Sequence, residues 1–522
     1  MKVPGKSHGW KLCSFFAIVL TLALVTPSLG AAAAAAQPKS GGGTRWVTPS
    51  KVLNGTSRTG YGCAIVRDGS TIHMVYRAMS STPALGFWDF AFFHTTRSVS
   101  GGNWSTPEQV TPYETWGGLF GGSGGFTVNN MDLALDSAGK LHLAYISIPE
   151  MSLGSTAAVE IRYTTNASGS WSAPKKISAD DLVYSSDFLP SNLPAAGQEI
   201  HTSVVVDGSN RVHVVYVDTS ADNSTQLVQE VVKTGGSWSA PTTISNAGHT
   251  NCRSASIAAN GSTLYLAYAD ASAGVWYAEN SGAGWGSYAA INGGSDGTWG
   301  QTEIRVNTAG DRFVLYRADT GGGNIQVRHV ENTGSGWTAP VTASDATLGA
   351  GCNPFFDFDS SSNLYLAYDN PTGTASASAV YRKYDRATLS WGSTSKVHTE
   401  FTNVSGGIAV SGSSPYVAYT HSLPPNMMFL LTGMPLGTFE NSDICFATGA
   451  GAGWPTQVPS NPSGLAQFDA SGIGPATSTA ILANQYDGHG QAVFTNGQPG
   501  SWSSPATIGA GTGLYSSYMA TD

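Results

Sequence analysis

One pattern of hydrophobic and polar positions dominates the chain. Short runs of β-branched, aliphatic and aromatic residues end in a tyrosine: IHMVY at 72–76, LHLAY at 141–145, VHVVY at 212–216, LYLAY at 264–268, FVLY at 313–316, LYLAY at 364–368 and YVAY at 416–419. A second phrase follows each copy and is built on a tryptophan. It reads NWSTPEQV around Trp104, SWSAPKKIS around Trp171 and SWSAPTTIS around Trp238, with weaker copies around Trp285, Trp337, Trp391 and Trp454, and SWSSPATI around Trp502. The runs are short, rich in β-formers and bounded by Gly, Asn, Asp and Ser, which predicts strands joined by tight turns. Helical spacing over a longer window is absent.

The tryptophans recur 47 to 67 residues apart, a period that belongs to propeller blades or solenoid units. Each repeat reads as four strands. A run such as SVVVD (203–207) is followed by the tyrosine phrase, then by a phrase such as EIRYTTN (160–166), then by the tryptophan phrase. Four-stranded antiparallel blades closed radially leave few exposed sheet edges. The expected fold is therefore an all-β propeller of eight blades, with seven as the alternative. The eighth unit is degraded around Tyr486 and Trp502. Two fragments, 45–49 and 518–521, resemble a lone outer and a lone inner strand and are expected to meet where the ring closes.

Composition agrees: 64 glycines, 10% aromatic and only 11% charged residues suit many short strands and turns. The net charge of −9 argues against nucleic acid or an anionic membrane as partner. Residues 1–31 read as a signal peptide, with Lys2, Lys6 and Lys11, an apolar run over 15–25, and small residues after it. That run is short for a membrane span and no later stretch qualifies. An Ala/Gly-rich leader over 32–44 and one propeller domain over 45–522 complete the division. The expectation is a secreted monomer, extracellular or periplasmic. Cys63, Cys252, Cys352 and Cys445 are too dispersed for a disulfide framework and read as buried thiols, a Cys252–Cys352 bond being the alternative. No CxxC pair, nucleotide loop, HExxH helix or GxSxG elbow occurs, so no metal site is indicated, and no cofactor is identified.

The turns before the tryptophans carry a family likeness. They read Thr165-Asn166-Ala167-Ser168-Gly169-Ser170-Trp171, Lys233-Thr234-Gly235-Gly236-Ser237-Trp238 and Asn332-Thr333-Gly334-Ser335-Gly336-Trp337. This resembles a worn Asp-box, the Ser-x-Asp-x-Gly-x-x-Trp hairpin of sialidase-like (BNR-repeat) propellers; glycine and tryptophan persist and the aspartate does not. The resemblance implies the fold, since Asp-boxes carry no catalysis. Sialidases also use an arginine triad announced by a Phe/Tyr-Arg-Ile-Pro motif. The matching stretch here, Tyr61-Gly62-Cys63-Ala64-Ile65-Val66, has neither the arginine nor the proline.

Internal repetition separates structural from functional candidates. His73, His142 and His213 share a slot with Tyr265, Phe313, Tyr365 and Tyr416, which reads as aromatic packing. The opening ends of the inner strands differ from blade to blade: Tyr61, Asn130, His201, Arg253, Gln301 and Asn353, with Cys63, Asp132, Ser203, Ala255, Glu303 and Phe355 two positions deeper. Unlike polar walls around one channel suit an asymmetric ligand. The longest connections, 112–129, 179–200 and 421–438, fall on the same face. His201 exchanges protons near neutrality, Arg253 suits a carboxylate, Tyr61 donates or accepts, and Glu303 serves as acid or base if its pKa is raised. Asn130, Asp132, Gln301 and Asn353 are candidate ligand contacts, with Trp116, Tyr113, Tyr184 and Phe188 as stacking surfaces. Arg305 and Asp357 are expected to pair in adjacent blades. The expected partner is an extracellular glycan, and three readings stay open. One is a carbohydrate-binding module. The second is a polysaccharide lyase using the His/Tyr base with Arg, or a sialidase-like glycoside hydrolase. The third is a structural or adhesive surface protein. For hydrolysis, Asp132 and Glu303 are the only ring carboxylates, three blades apart.

Overall fold

The alternation folds as strands buried on both faces. The computed structural model describes residues 60–510 except 80–86, 102–103, 118–130, 151–156, 180–181, 185–201, 220–223, 294–296, 320–324, 346–351, 372–376, 398–401, 404–406, 422–442, 449–465, 474–478, 487–490, 499–500 and 503–505. The expected leader, the terminal fragments and most of the long loops lie outside the described residues. Within one tyrosine phrase, Ile72, Met74 and Tyr76 pack toward one neighbouring sheet and Val75 toward the other. Period-two geometry with apolar residues at successive positions therefore demands a sheet on each side.

Six antiparallel four-stranded blades result, each from one contiguous stretch of chain. Their inner strands are Gly60–Asp68, Met131–Leu135, Thr202–Val206, Cys252–Asn260, Gly297–Val306 and Cys352–Phe358. Each is followed by the tyrosine strand, for example Val212–Thr219 in blade 3, and by a third strand, Gln226–Thr234 there. The outer position is a short strand such as Ser237–Trp238. A partial sheet follows: Thr402–Asn403 and Ile408–Ser411 both pair with Ser414–His421, which pairs with Asp443–Thr448. The inner strands touch in chain order, and the partial sheet touches both blade 6 and blade 1.

The expected count of eight blades, or seven, is therefore corrected to six among the described residues, with the sheet of Ser414–His421 closing the circle. Cys63, Ile65, Ile72, Met74 and Tyr76 of blade 1 form one apolar cluster with Ala409, Tyr416 and Ala418. The Tyr416 hydroxyl donates to the Val99 carbonyl at 3.0 Å. That direct contact leaves no place for another blade between them. The predicted eighth unit forms a separate antiparallel sheet, with strands Ala466–Ile473, Thr479–Tyr486, Gln491–Gln498 and Ser501–Trp502.

The repeat tyrosines explain themselves. Tyr76, Tyr145, Tyr216, Tyr268, Tyr316 and Tyr368 are at most 1% exposed, and removing each ring from water contributes roughly 2 kcal/mol. The hydroxyls of Tyr145, Tyr268 and Tyr368 clasp the segment arriving from the preceding blade. Tyr268 accepts the Asn246 amide at 3.2 Å and pairs with His249 Nδ1 at 2.6 Å, Tyr368 accepts the Asp345 amide at 2.9 Å, and Tyr145 donates to Glu114 at 3.0 Å. Tyr268→Phe keeps the ring and loses the clasp. It should cost about 1–2 kcal/mol in chemical denaturation, and an unchanged midpoint would contradict the clasp.

The connections from inner to tyrosine strands form a closed end. Asp136, Asp207, Asn307 and Asp359 each cap the turn that follows, accepting amides such as Ser209 and Arg211 at 2.9 and 2.8 Å in blade 3. Neighbouring turns then bond to each other: Ser137 to Asn210, the Gly208 amide to the Gly261 carbonyl at 2.7 Å, Asn260 to the Asn307 carbonyl, and Asn307 to Ser362. Gly208 has no substitute there, since a Cβ would lie 2.9 Å from the Gly261 carbonyl carbon. Among the described residues, no helix is long and apolar enough to cross a membrane.

Candidate functional site

The opposite mouth of the ring is irregular. Strand register breaks between Gly60 and Cys63, between Cys252 and Ser254, between Thr298 and Thr302, and between Cys352 and Phe355. Bulges bend a strand and re-aim its side chains. These four sit where the sequence pattern places its ring of unlike polar residues.

The pairing also corrects that ring. Cys63, Met131, Thr202, Ala255 and Thr302 lie opposite the repeat tyrosines. Counting five residues on from them, Asp68 and Asn260 end their inner strands and Asp136, Asp207 and Asn307 directly follow theirs. The sequence frame rests on Arg67 and Ala259 in blades 1 and 4, one residue early, because those blades turn in two residues, Gly69-Ser70 and Gly261-Ser262. In register with Gln301 stand Gly62 and Ser254, not Tyr61 and Arg253.

The next inward position holds Asp132, Ser203, Ser256 and Glu303, and it stitches blade to blade. Asp132 Oδ2 accepts the Val204 amide at 2.8 Å and the Ser203 hydroxyl at 3.1 Å. Ser203 accepts the Ile257 amide at 3.3 Å and Ser256 the Ile304 amide at 3.2 Å. The Phe356 amide faces Glu303, and Asp357 accepts the Val410 amide at 2.8 Å.

These strands enclose a cavity of about 350 Å³ on the ring axis, lined by Asp132, Thr202, Gln301, Glu303, Arg305 and Asp357 among others. It is near the small end of ligand pockets, which run from about 300 to 1,000 Å³. Arg305 donates from Nε and Nη2 to Glu303 Oε1 at 3.1 and 2.7 Å. The expected Arg305–Asp357 ion pair is thus corrected. Positions two apart on one strand share a face, so Arg305 pairs with Glu303 and meets Asp357 only as a nearby charge. Among the described residues Gln301 Oε1, Glu303 Oε2 and the Thr202 hydroxyl are fully buried without a close hydrogen-bond partner, the Phe356 amide being the backbone donor that faces the Glu303 carboxyl. Gln301 is 3% exposed and Glu303 9%.

Burial pushes the Glu303 carboxyl up to about 7, with the Asp132 charge adding to the rise, although Arg305 pulls the other way. Burial also raises Asp132 and Asp357 against the opposing pull of Arg305 and their amide donors. Burial works against the Arg305 charge, but Glu303, Asp132 and Asp357 outweigh it and hold the guanidinium protonated. At neutral pH the cavity therefore holds a proton that Glu303 can keep or release, the condition for a general acid or base.

Of the sequence candidates, Asp132, Gln301 and Glu303 come together in this cavity. Arg253 is half-buried on its bulge, outside the lining residues, and makes no hydrogen bond or ion pair among the described residues. His201 and Asn130 lie outside the described residues, as do the side chains of Tyr61, Trp116 and Asn353. Phe188 and the Tyr184 side chain do too, and Tyr113 is 46% exposed. Cys252 is a buried thiol outside any disulfide, so the alternative Cys252–Cys352 bond is absent; Cys63 is likewise buried. His142 and His213 are not mere aromatic filler. They pair with Asp136 and Tyr163, and with Asp207 and Glu230. Among the described residues no group of three His, Cys, Asp or Glu side chains is arranged to hold a metal ion.

The sequence frame missed the cavity role of Arg305, Asp357 and Thr202. The signal was the Asp/Asn that ends or directly follows each inner strand, from which each channel position counts back.

No family model matches the chain, and no curated protein matches it. Solved structures similar to it include an ulvan lyase of a new polysaccharide lyase family bound to -[GlcA(1-4)Rha3S]-, with 11% identity, TM-score 0.49, 78% of this chain and 97% of that one covered. A Hadza microbial sialidase is similar at 11% identity and TM-score 0.41, covering 66% and 69%. An α-L-arabinofuranosidase of Fusarium graminearum complexed with arabinobiose is similar at 11% identity and TM-score 0.41, covering 77% and 97%. At these levels the similarities carry no chemistry over to this chain.

Proposed function

We propose that this is an exported, monomeric carbohydrate-interacting propeller that holds a sugar residue in the axial cavity reached from its bulged, loop-rich mouth. One observation carries the reading: an axial cavity of about 350 Å³ is lined by unlike polar side chains, Asp132, Thr202, Gln301, Glu303, Arg305 and Asp357. A few polar groups converging on a cavity of this size fix the orientation of a small ligand, and donors and acceptors on one wall suit the closely spaced hydroxyls of a sugar. The leader over 1–31 and the net charge of −9 support export and disfavour nucleic acid. The test is a glycan array probed with the full chain, followed by titration of the hits. Gln301→Leu should weaken binding at least tenfold while leaving the melting temperature within a few degrees. A blank array removes the reading.

A second reading, glycoside hydrolysis, is favoured by Glu303 at about 7 beside two further carboxylates. Such enzymes pair a protonated acid with an ionised carboxylate. Release of reducing ends from a bound glycan, lost in Glu303→Gln with binding retained, would establish it; no release from any bound glycan would exclude it.

A further inference from the structure

Each of the first five blades presents one third-strand side chain to the blade that follows. His94, Tyr163, Glu230, Tyr277 and His329 hold this place, two residues before the cross-strand partners of His73, His142, His213, Tyr265 and Phe313 respectively. Each meets the tryptophan of the next blade. Ring centroids lie 5.7 Å apart for His94 and Trp171, 4.8 Å for Tyr163 and Trp238, 4.9 Å for Tyr277 and Trp337, and 5.7 Å for His329 and Trp391. The Trp285 indole donates to Glu230 at 2.8 Å. We propose that the seams between blades 1 and 2 and between blades 5 and 6 are acid-operated release points, so that protonation splits the ring into a rigid arc of blades 2 to 5 and a second arc of blade 6, the partial sheet and blade 1. This inference stands apart from the carbohydrate reading.

The two seams differ from the others in what an added proton meets. Trp171 Nε1 and Trp391 Nε1 are buried donors with no hydrogen-bond partner among the described residues. The rings they meet edge-on are histidines, which present donors at both nitrogens once protonated. His94 Nε2 lies 3.1 Å from His73 Nδ1. One proton fits between these nitrogens; a second sets two N–H groups face to face. The carboxylates near the pair are Asp68, beside His73, and Glu108, 3.8 Å from His94 Nδ1 and 58% exposed. Around His329 stand Tyr384 and Arg386 of blade 6, and Glu331, 4.0 Å away, is taken by Arg386 at 2.8 Å. Elsewhere an acceptor meets the proton. His142 Nε2 faces Asp136 at 3.5 Å, and His213 lies between Asp207 and Glu230 at 3.4 and 2.8 Å. His249 Nδ1 meets the Tyr268 hydroxyl at 2.6 Å, near Asp270. Other ties cross the two weak seams, including Glu114 with Arg162 and Glu331 with Arg386, and they run through carboxylates, which acid does not strengthen. Burial, and then His73, press His94 down to about 4, and burial with the Arg386 charge presses His329 to about 3. A separated seam hydrates the ring and returns it to its ordinary value, so falling pH favours separation. Two breaks are the number needed to open a closed ring.

The test is hydroxyl-radical footprinting of the full chain between pH 7.5 and 3.5, read by mass spectrometry at the five seam tryptophans, all of which start half-buried. Oxidation of Trp171 and Trp391 should rise about fivefold or more as pH falls, while that of Trp238, Trp285 and Trp337 changes less than about twofold. His94→Phe should hold Trp171 at its neutral level and His329→Phe should hold Trp391, each leaving the other seam responsive. Tyr277→His puts a histidine into the slot between blades 4 and 5 and should make Trp337 respond as well, whether or not the phenylalanine variants fold. Equal rises at all five tryptophans, no rise at Trp171 and Trp391, a rise that persists in the phenylalanine variants, or an unresponsive Trp337 in Tyr277→His would overturn the proposal.

Discussion

Replacing Asp207 by alanine should lower the unfolding free energy by about 3 kcal/mol at neutral pH, one of the two largest effects we expect. The carboxylate accepts the amides of Ser209 and Arg211 at 2.9 and 2.8 Å and the Arg211 Nε at 2.7 Å, and it lies 3.4 Å from His213 Nε2. Its side chain is fully buried. Burial alone would push the Asp207 carboxyl up, but these donors outweigh it and hold it below the ordinary carboxylate range. A carboxyl whose folded pKa is depressed contributes stability that is present above its unfolded value and lost as pH falls through the folded one. The gap between wild type and Asp207→Ala in urea denaturation should therefore narrow from pH 7 toward pH 3. Asp207→Asn, which still accepts the amides, should cost about half as much. A gap that widens in acid would show that the turn does not rest on the ionised group.

The second large effect is acid lability centred on His329. This ring is 1% exposed and neither nitrogen has a hydrogen-bond partner. Phe313, Tyr384 and Trp391 surround it, with centroids at 6.5, 4.9 and 5.7 Å. Glu331 lies 4.0 Å away but is taken by Arg386 at 2.8 Å. Burial, and then the Arg386 charge, press the imidazole down to about 3. The folded state thus binds fewer protons than the unfolded one between about 3 and the ordinary value of 6.5. Across that window stability falls with pH, by up to about 1.4 kcal/mol per unit. His329→Phe keeps an aromatic ring among aromatic neighbours and removes the titration. The variant should match wild type at pH 7.5 and exceed it progressively as pH drops toward 4, read as melting temperatures in one buffer series. Parallel curves would remove His329 as the cause.

Much of the architecture was legible because it is written in repeated apolar surface. The tyrosine phrases mark second strands, and Trp171, Trp238 and Trp337 do pack against the clusters between blades, as their recurrence implies. The number of blades was less legible. Whether the sheet over 466–510 enters the ring depends on which surface meets blade 1, and that is decided by Ala409, Tyr416 and Ala418, small and aromatic residues with no distinctive spacing. The cavity was legible in part. Asp132, Gln301 and Glu303 stood out as unlike residues at equivalent places, whereas Arg253 was drawn in by a one-residue slip. Along a strand such a slip moves a side chain to the other face. The pairing of Arg305 with Glu303 was hidden for a different reason. Residues two apart look unremarkable in sequence until the strand brings them onto one wall.

The blade-to-blade bonds from inner side chains run one way, each blade holding the next from Asp132 through Asp357. Blade 1 offers only Ala64 and Val66 at the corresponding places, and the partial sheet only Gly407 and Ala409. Blade 1 is tied in farther from the axis, by the Tyr416 hydroxyl to the Val99 carbonyl on one side and by Glu114 to Tyr145, Ser147 and Arg162 on the other. The ring therefore closes on apolar packing and outer bonds, where its other blades are also stitched along the inner strands.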